Sequence, residues 1–197
     1  MLEKPNFYSV IIGTELLNGR RKDAHFAFLN QQLLSRGWEQ KASFVINDDT
    51  NLMENIFNLI KSDQNSVMFC FGGIGATPDD YTRVVAGKVF TNGNMEFHEE
   101  AKNRIINQFG EEAYPHRINM AYLPINAKLL KNVVNNVAGF YLEDRFFFTP
   151  GFPSMSQAMV IEALDKLYPK SNIEKYRRVM TINASENDLI NTMKKIP

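Results

Sequence analysis

Cysteine is nearly absent from this chain, histidine is scarce, and neither sign of charge is in excess; each shortage removes a class of function. Cys70 is the only cysteine among 197 residues, so an intramolecular disulfide and a cysteine-rich metal site are both excluded. Its place inside the apolar run Val67-Met68-Phe69-Cys70-Phe71 predicts a packed, inert thiol. His25, His98 and His116 are the three histidines, and they lack the i, i+4 spacing of a zinc-binding helix. Surface or hydrogen-bonding roles are expected of them. Lys plus Arg and Asp plus Glu number 22 each, which denies the chain the basic field that a phosphate backbone requires. Nucleic acid is not expected as a main partner. No apolar run approaches the roughly eighteen residues of a membrane span, and residues 7–12 are too short for the core of a signal peptide. A cytoplasmic protein with no membrane partner is expected. Repeats, low-complexity tracts and long charge runs are also missing. What remains, 44% hydrophobic and 22% charged residues, suffices for one principal domain with a full core.

Residues 67–83, VMFCFGGIGATPDDYTR, organise the rest. The apolar run suits a strand buried on both faces. Gly72, Gly73 and Gly75 then free the backbone, so that an anionic group can approach main-chain N–H donors closely. Asp79 and Asp80 follow at the expected start of a helix through Thr82, Val85 and Val89. Two carboxylates beside an anion-binding turn repel a phosphate unless a cation bridges them, and hard oxygen ligands point to Mg²⁺ or a similar ion. The plainer alternative is that the pair caps the helix.

Along the chain, residues 7–12 predict a first strand that Gly13 ends, leaving Thr14 and Glu15 at its carboxyl end, the edge where open α/β sheets bind ligands. Phe26, Leu29 and Leu33 predict a helix from Asp23 to Arg36, with Gly37 as its stop. A strand over 42–46 and a helix with Leu52, Ile56, Leu59 and Ile60 on its face lead back to the organising strand. Ala101, Ile105 and Phe109 mark a further helix that runs to Gly110. Residues 111–137 carry little pattern. Strands over 140–142 and 145–149, turning through Glu143 and Asp144, form an expected hairpin that leads to Pro150-Gly151-Phe152-Pro153. That loop again lies at a strand's carboxyl end, before a helix with Val160, Ala163, Leu164 and Leu167. The strand and helix order predicts an α/β fold with a mostly parallel sheet covered on both faces. Pro169-Lys170-Ser171-Asn172 reads as a linker, which divides the chain into residues 1–169 and 170–197. The second part is expected to hold a strand over 176–182 and to be an incomplete small α/β module or a docking tail.

GGIGATPDDYTR closely resembles the GGxGxTxDDxT signature of the MoaB/Mog molybdopterin-binding fold, especially its CinA-like amino-terminal branch. The resemblance extends to Gly13-Thr14-Glu15-Leu16-Leu17, to Arg117-Ile118-Asn119-Met120-Ala121 with Leu123-Pro124, and to Pro150-Gly151-Phe152-Pro153. Ser185-Glu186-Asn187-Asp188-Leu189 is similar to the helix start that opens a small module after the CinA-like domain. The resemblance implies a three-layer α/β/α architecture and a homo-oligomer, dimer or trimer. It also implies a small nucleotide or pterin ligand and a divalent-metal-dependent pyrophosphatase acting on a dinucleotide of the ADP-ribose or FAD type. On that reading Gly72, Gly73 and Gly75 hold phosphate, Asp79 and Asp80 are the catalytic pair that holds Mg, Mn or Co, and Thr82 orients oxygen ligands. Gly13, Thr14, Glu15, Asp23, Gly151 and Pro153 complete the nucleotide pocket, with residues 117–121 shaping its substrate side. Asp23 matches a D/N-x-N element, where His25 replaces the usual Asn. Thr14 stands where many MoaB/Mog proteins have Asp, which favours the CinA-like branch over a molybdopterin adenylyltransferase. A pterin- or nucleotide-binding domain without turnover is the alternative from another class.

Overall fold

The computed structural model describes residues 2, 4–171, 179 and 181–195. Six strands form the central sheet: β1 (Asn6–Ile12), β2 (Gln40–Ile46), β3 (Ser66–Phe71), β6 (Lys128–Leu130), β7 (Gly139–Leu142) and β8 (Phe146–Thr149), in the order β2-β1-β3-β8-β7-β6. The first four in that order run parallel, and β7 and β6 close the far side antiparallel. Between β3 and β6 the chain adds a separate ribbon of β4 (Met95–Phe97) and β5 (Tyr122–Pro124), which sequence patterning does not anticipate.

Alternation along the strands sorts the core into two layers, because successive side chains leave a strand on opposite faces. Phe7, Ile11, Val67, Phe69, Phe71 and Phe147 meet Leu29 and Leu33 of α2 (His25–Ser35) and Met159, Val160, Ala163 and Leu164 of α6 (Pro153–Leu167). Val10, Ile12, Met68, Cys70, Phe146 and Phe148 meet Met53, Phe57 and Ile60 of α3 (Thr50–Ser62), Val85, Ala86 and Val89 of α4 (Thr82–Phe90), and Ala101 and Ile105 of α5 (Glu99–Phe109). A mostly parallel sheet between two helical layers is thus the observed fold. Cys70 is fully buried, and burial pushes its thiol far above the usual range, so it is the inert core group its context predicts.

Helix periods are as expected, but two faces differ. The buried face of α3 is Met53, Phe57 and Ile60, whereas Leu52 and Leu59 are exposed. Phe26 of α2 is exposed as well. In both helices each apolar stripe is wider than the face that packs, so composition alone leaves the rotation open. Gly37, at φ +77°, ends α2 with hydrogen bonds from its own N–H to Leu34 O and from Trp38 N–H to Leu33 O, 3.0 and 2.9 Å, the paired bonds of a Schellman stop. Trp38 packs on the ring of Phe7 and its indole N–H donates to Pro169 O at 2.8 Å. The hairpin turn places Glu143 and Asp144 at φ +54° and +55°, the two-residue geometry that suits strand twist. A short α1 (Thr14–Leu17) follows β1, and α7 (Glu186–Met193) opens with Ser185 and Asp188 in a reciprocal capping box. Most of the strand expected over 176–182 lies outside the described residues.

Candidate functional site

At the carboxyl end of β3 the main chain turns sharply. Gly72 and Gly73 take φ +102° and +67°, and a Cβ on Gly72 would stand 2.6 Å from the carbonyl oxygen of Ile12 in β1. On Gly73 it would collide with the Thr82 hydroxyl. Only glycine fits this corner.

The loop's carbonyls are all held from one side. Thr82 donates through its hydroxyl to Gly72 O at 3.0 Å and through its N–H to Gly73 O at 2.9 Å. Arg83 donates through Nε to Ile74 O at 3.2 Å and through Nη2 to Gly75 O at 2.8 Å. In a trans peptide the N–H of each residue points opposite to the preceding C=O, so the amides of Gly73, Ile74, Gly75 and Ala76 point away from Thr82 and Arg83. Those four amides donate to no described residue, and all four residues line a cleft of about 560 Å³. Consecutive free N–H groups in such a turn make an anion-binding nest.

The acidic pair stands at the rim. The structure starts α4 at Thr82, with Tyr81 in the cap position and no side-chain cap, which corrects the expectation that Asp79 and Asp80 begin the helix. Instead one Asp80 oxygen accepts from the N–H and hydroxyl of Thr77, closing a tight turn. Asp79 is exposed, and the nearby Thr77 hydroxyl, with a lesser effect of its own amide, holds its carboxyl below the usual range, although the Thr77 proton itself is given to Asp80. Among the described residues no three His, Cys, Asp or Glu side chains converge as a metal site.

Of the residues expected in the site, Gly13, Glu15, Gly72, Gly73, Gly75, Asp79, Asp80 and Gly151 line this one cleft. Thr14 stands behind it, donating through N–H and hydroxyl to the carboxylate of Asp48, at 3.0 and 2.7 Å, and Asp48 itself lines the wall. Thr82 is fully buried behind the glycine turn, where it holds the carbonyls and does not face a ligand. Asp23 caps α2, accepting from the N–H groups of His25 and Phe26 at 2.8 and 3.0 Å. Asp23 and Pro153 line a separate small recess next to His25 and Gly151.

His25 is buried, its ring stacked on Phe71 with centroids 4.5 Å apart. Its two nitrogens lie 3.3 Å from Gly151 O and 3.3 Å from the hydroxyl of Ser156. Burial pushes its pKa down against a smaller upward effect of the Gly151 contact. The residue thus ties the Pro150–Pro153 turn to α2.

Several lining residues carry no local signal in the sequence. Arg21 pairs with Glu15 at 3.7 Å and lies over the exposed ring of Phe152 at 5.3 Å, and it lines the cleft. Phe109, Met120, Val137 and Met155 give the cleft apolar wall. Asn132 shapes the neighbouring loop, accepting from the N–H of Val134 and donating to Val137 O. These groups come from segments far apart in the chain, and only Met120 and Phe152 belong to stretches that the motifs single out.

A model of the family described as "Probable molybdopterin binding domain" matches residues 9–169. A protein of Pyrococcus abyssi is 29% identical over 180 residues, which cover 84% of this chain and 71% of that protein. A CinA-like protein of Geotalea uraniireducens is 33% identical over 161 residues, covering 78% of this chain but 37% of the relative. The chain therefore spans well under two thirds of that relative's length. Among solved structures, a CinA protein of unknown function from Thermoplasma acidophilum has a TM-score of 0.73 at 25% identity, covering 83% of this chain and 98% of its own. The Mog protein of Mycobacterium ulcerans, with a TM-score of 0.52 at 15% identity over 82% of this chain and 93% of its own, shares the fold.

Proposed function

This chain belongs to the molybdopterin-binding domain family, in the form shared by CinA and MoaB proteins, and from that premise we propose that its cleft binds a small dinucleotide of the ADP-ribose or FAD type and splits its pyrophosphate bond. The observation that carries the reading is the row of four uncommitted amides from Gly73 to Ala76 in the wall of a cleft that also holds Asp79 and Asp80. Amides take phosphate oxygens; carboxylates beside them need a counter-cation. Asp79 and Asp80 would hold a divalent ion. The donor set fits, since Mg²⁺ commonly binds through one or two carboxylates and completes its shell with substrate phosphate and water. Such an ion supplies charge neutralisation and a more acidic water.

The remaining work falls to the chain's own groups. The nest orients one phosphoryl group, and Phe109 and Met120 exclude water from the opposite side. Arg21 faces the anionic ligand from beside Phe152. In the hydrolysis, water oxygen bonds to phosphorus and the bond from phosphorus to the bridging oxygen breaks. The products are AMP and a second phosphate ester, and a proton passes to solvent. The test is AMP release from ADP-ribose, FAD and NADH with Mg²⁺, Mn²⁺ or Co²⁺; folded protein that releases none under any metal ends this proposal.

A second reading keeps the pocket without turnover. It is favoured by the Asp80 carboxylate already being engaged by Thr77. Calorimetric titration with nucleotides and pterins separates the two: heat of binding without product supports a binding domain.

A further inference from the structure

Arg83 is a cation enclosed in the protein, only 7% exposed; among the described residues no carboxylate reaches ion-pair distance of it, and Asp80 acts on it only from farther away. Its donors go entirely to main-chain carbonyls. Nε and Nη2 take Ile74 and Gly75 in the glycine loop, while Nη1 takes Asn119 and, at 3.2 Å, Tyr122. The last two flank Met120, which lines the cleft. One planar guanidinium therefore joins the amide wall of the cleft to a second wall, the segment that carries Met120. A planar fork spans such a set of acceptors; an ammonium, acting as a point donor, does not.

We propose that Arg83 is the positioning residue of the phosphate loop: it aims the amides of Gly75 and Ala76 into the cleft, fixes the spacing of the two walls, and places a positive charge behind the nest. The inference rests on the reading that the cleft binds a dinucleotide. It adds that phosphate binding has a built-in countercharge, so binding persists when divalent metal is removed, although turnover does not. Burial of the guanidinium is costly, the Asp80 carboxylate offsets that cost only in part and from beyond ion-pair distance, and an incoming phosphate adds to the compensation. Hydrogen bonds in series also polarise one another, so a phosphate on the Gly75 amide is felt at the Ile74 carbonyl of the same peptide and hence at the Arg83 Nε–H.

The experiment measures the Kd of ADP-ribose in EDTA for the wild-type protein, Arg83→Lys and Arg83→Met, each checked for folding by circular dichroism, with salt varied. Both variants are expected to bind at least about tenfold more weakly, roughly 1.4 kcal/mol. Arg83→Lys should keep the wild-type salt dependence, whereas Arg83→Met should show a shallower one, which a purely structural role would not produce. Nuclear magnetic resonance on the wild-type protein is independent of variant folding: the Arg83 Nε–H signal should move together with the amides of residues 73–76 as ADP-ribose is added. Wild-type affinity in folded Arg83→Lys, or an unmoved Arg83 signal at saturation, overturns the inference while leaving the proposed function intact. Wild-type protein that binds ADP-ribose only with metal removes the built-in countercharge, and protein that never binds it defeats both readings.

Discussion

Asp80 accepts two hydrogen bonds from Thr77 and lies in the same cleft as the free amides, so its charge and its hydrogen bonding can be separated by one substitution. Asn retains an acceptor for the Thr77 N–H but loses the negative charge that would hold the bridging cation. Asp80→Asn is expected to melt near the wild-type temperature while metal-dependent AMP release falls about 100-fold or more, roughly the 3 kcal/mol of a key transition-state charge interaction. Asp79→Asn should act in the same direction less strongly. Full activity in both variants and in the double variant would return the pair to a structural role. His25 gives a second test at this scale. Its burial lowers the folded-state pKa below the ordinary value of about 6.5, so on acidification the unfolded chain takes up the proton first. The stabilising contribution is whole above about pH 6.5 and is lost as pH falls below it. Thermal scans should therefore show Tm dropping from about pH 6.5 to 5, with a smaller drop in His25→Asn; equal slopes would reject the assignment. The sequence made the glycine and aspartate residues of this site legible because they are contiguous. Arg21 and Asn132 were not, since two separate loops deliver them. Thr82 closes the signature and Arg83 follows it, yet their task of holding four carbonyls is a property of folded geometry.

The β7–β8 turn puts two L-residues where glycine or asparagine is favoured, Glu143 at φ +54° and Asp144 at φ +55°. Asp144 also pairs with Lys128 at 2.8 Å and its carbonyl accepts from the Tyr168 hydroxyl, so Glu143 is the replaceable member. Glu143→Asn should stabilise the protein by roughly 1 kcal/mol, since asparagine tolerates the left-handed region, and raise Tm by about 2–4 °C in calorimetry. An unchanged or lowered Tm would contradict this account. The hairpin itself was readable, because two apolar runs flank a polar pair. Strands β1 and β3, and helices α2, α5 and α6, were readable for the same reason: each has a strong local period. The β4–β5 ribbon was not, for its strands have three residues each and lie on either side of α5 and the irregular segment after it. Pairing over that distance leaves no local pattern. In α3 the period was legible and the buried face was not, because Leu52, Leu59, Phe57 and Ile60 offer competing stripes.

At the scale of the molecule the sheet has two unlike ends. Every motif that the sequence singled out for binding gathers where the parallel strands finish, as expected of an open α/β sheet. The resemblance to MoaB and Mog proteins also leads us to expect a dimer or trimer; light scattering should return two or three times the chain mass of 22.6 kDa, and a single-chain mass at micromolar concentration would contradict it. The other end of the sheet carries Trp38, the one tryptophan, which packs on Phe7 and bonds to Pro169. Phe7 is the second residue of β1 and Ile12, its last, lines the cleft, so the indole lies about 17 Å along the strand from the cleft. Its emission is consequently a gauge of the clasp between the first strand and the chain after α6, out of contact with what fills the cleft. With ADP-ribose, whose adenine does not absorb where indole emits, a shift in the midpoint of a fluorescence melt measures linkage, whereas FAD and NADH, which do absorb there, would quench the probe by energy transfer.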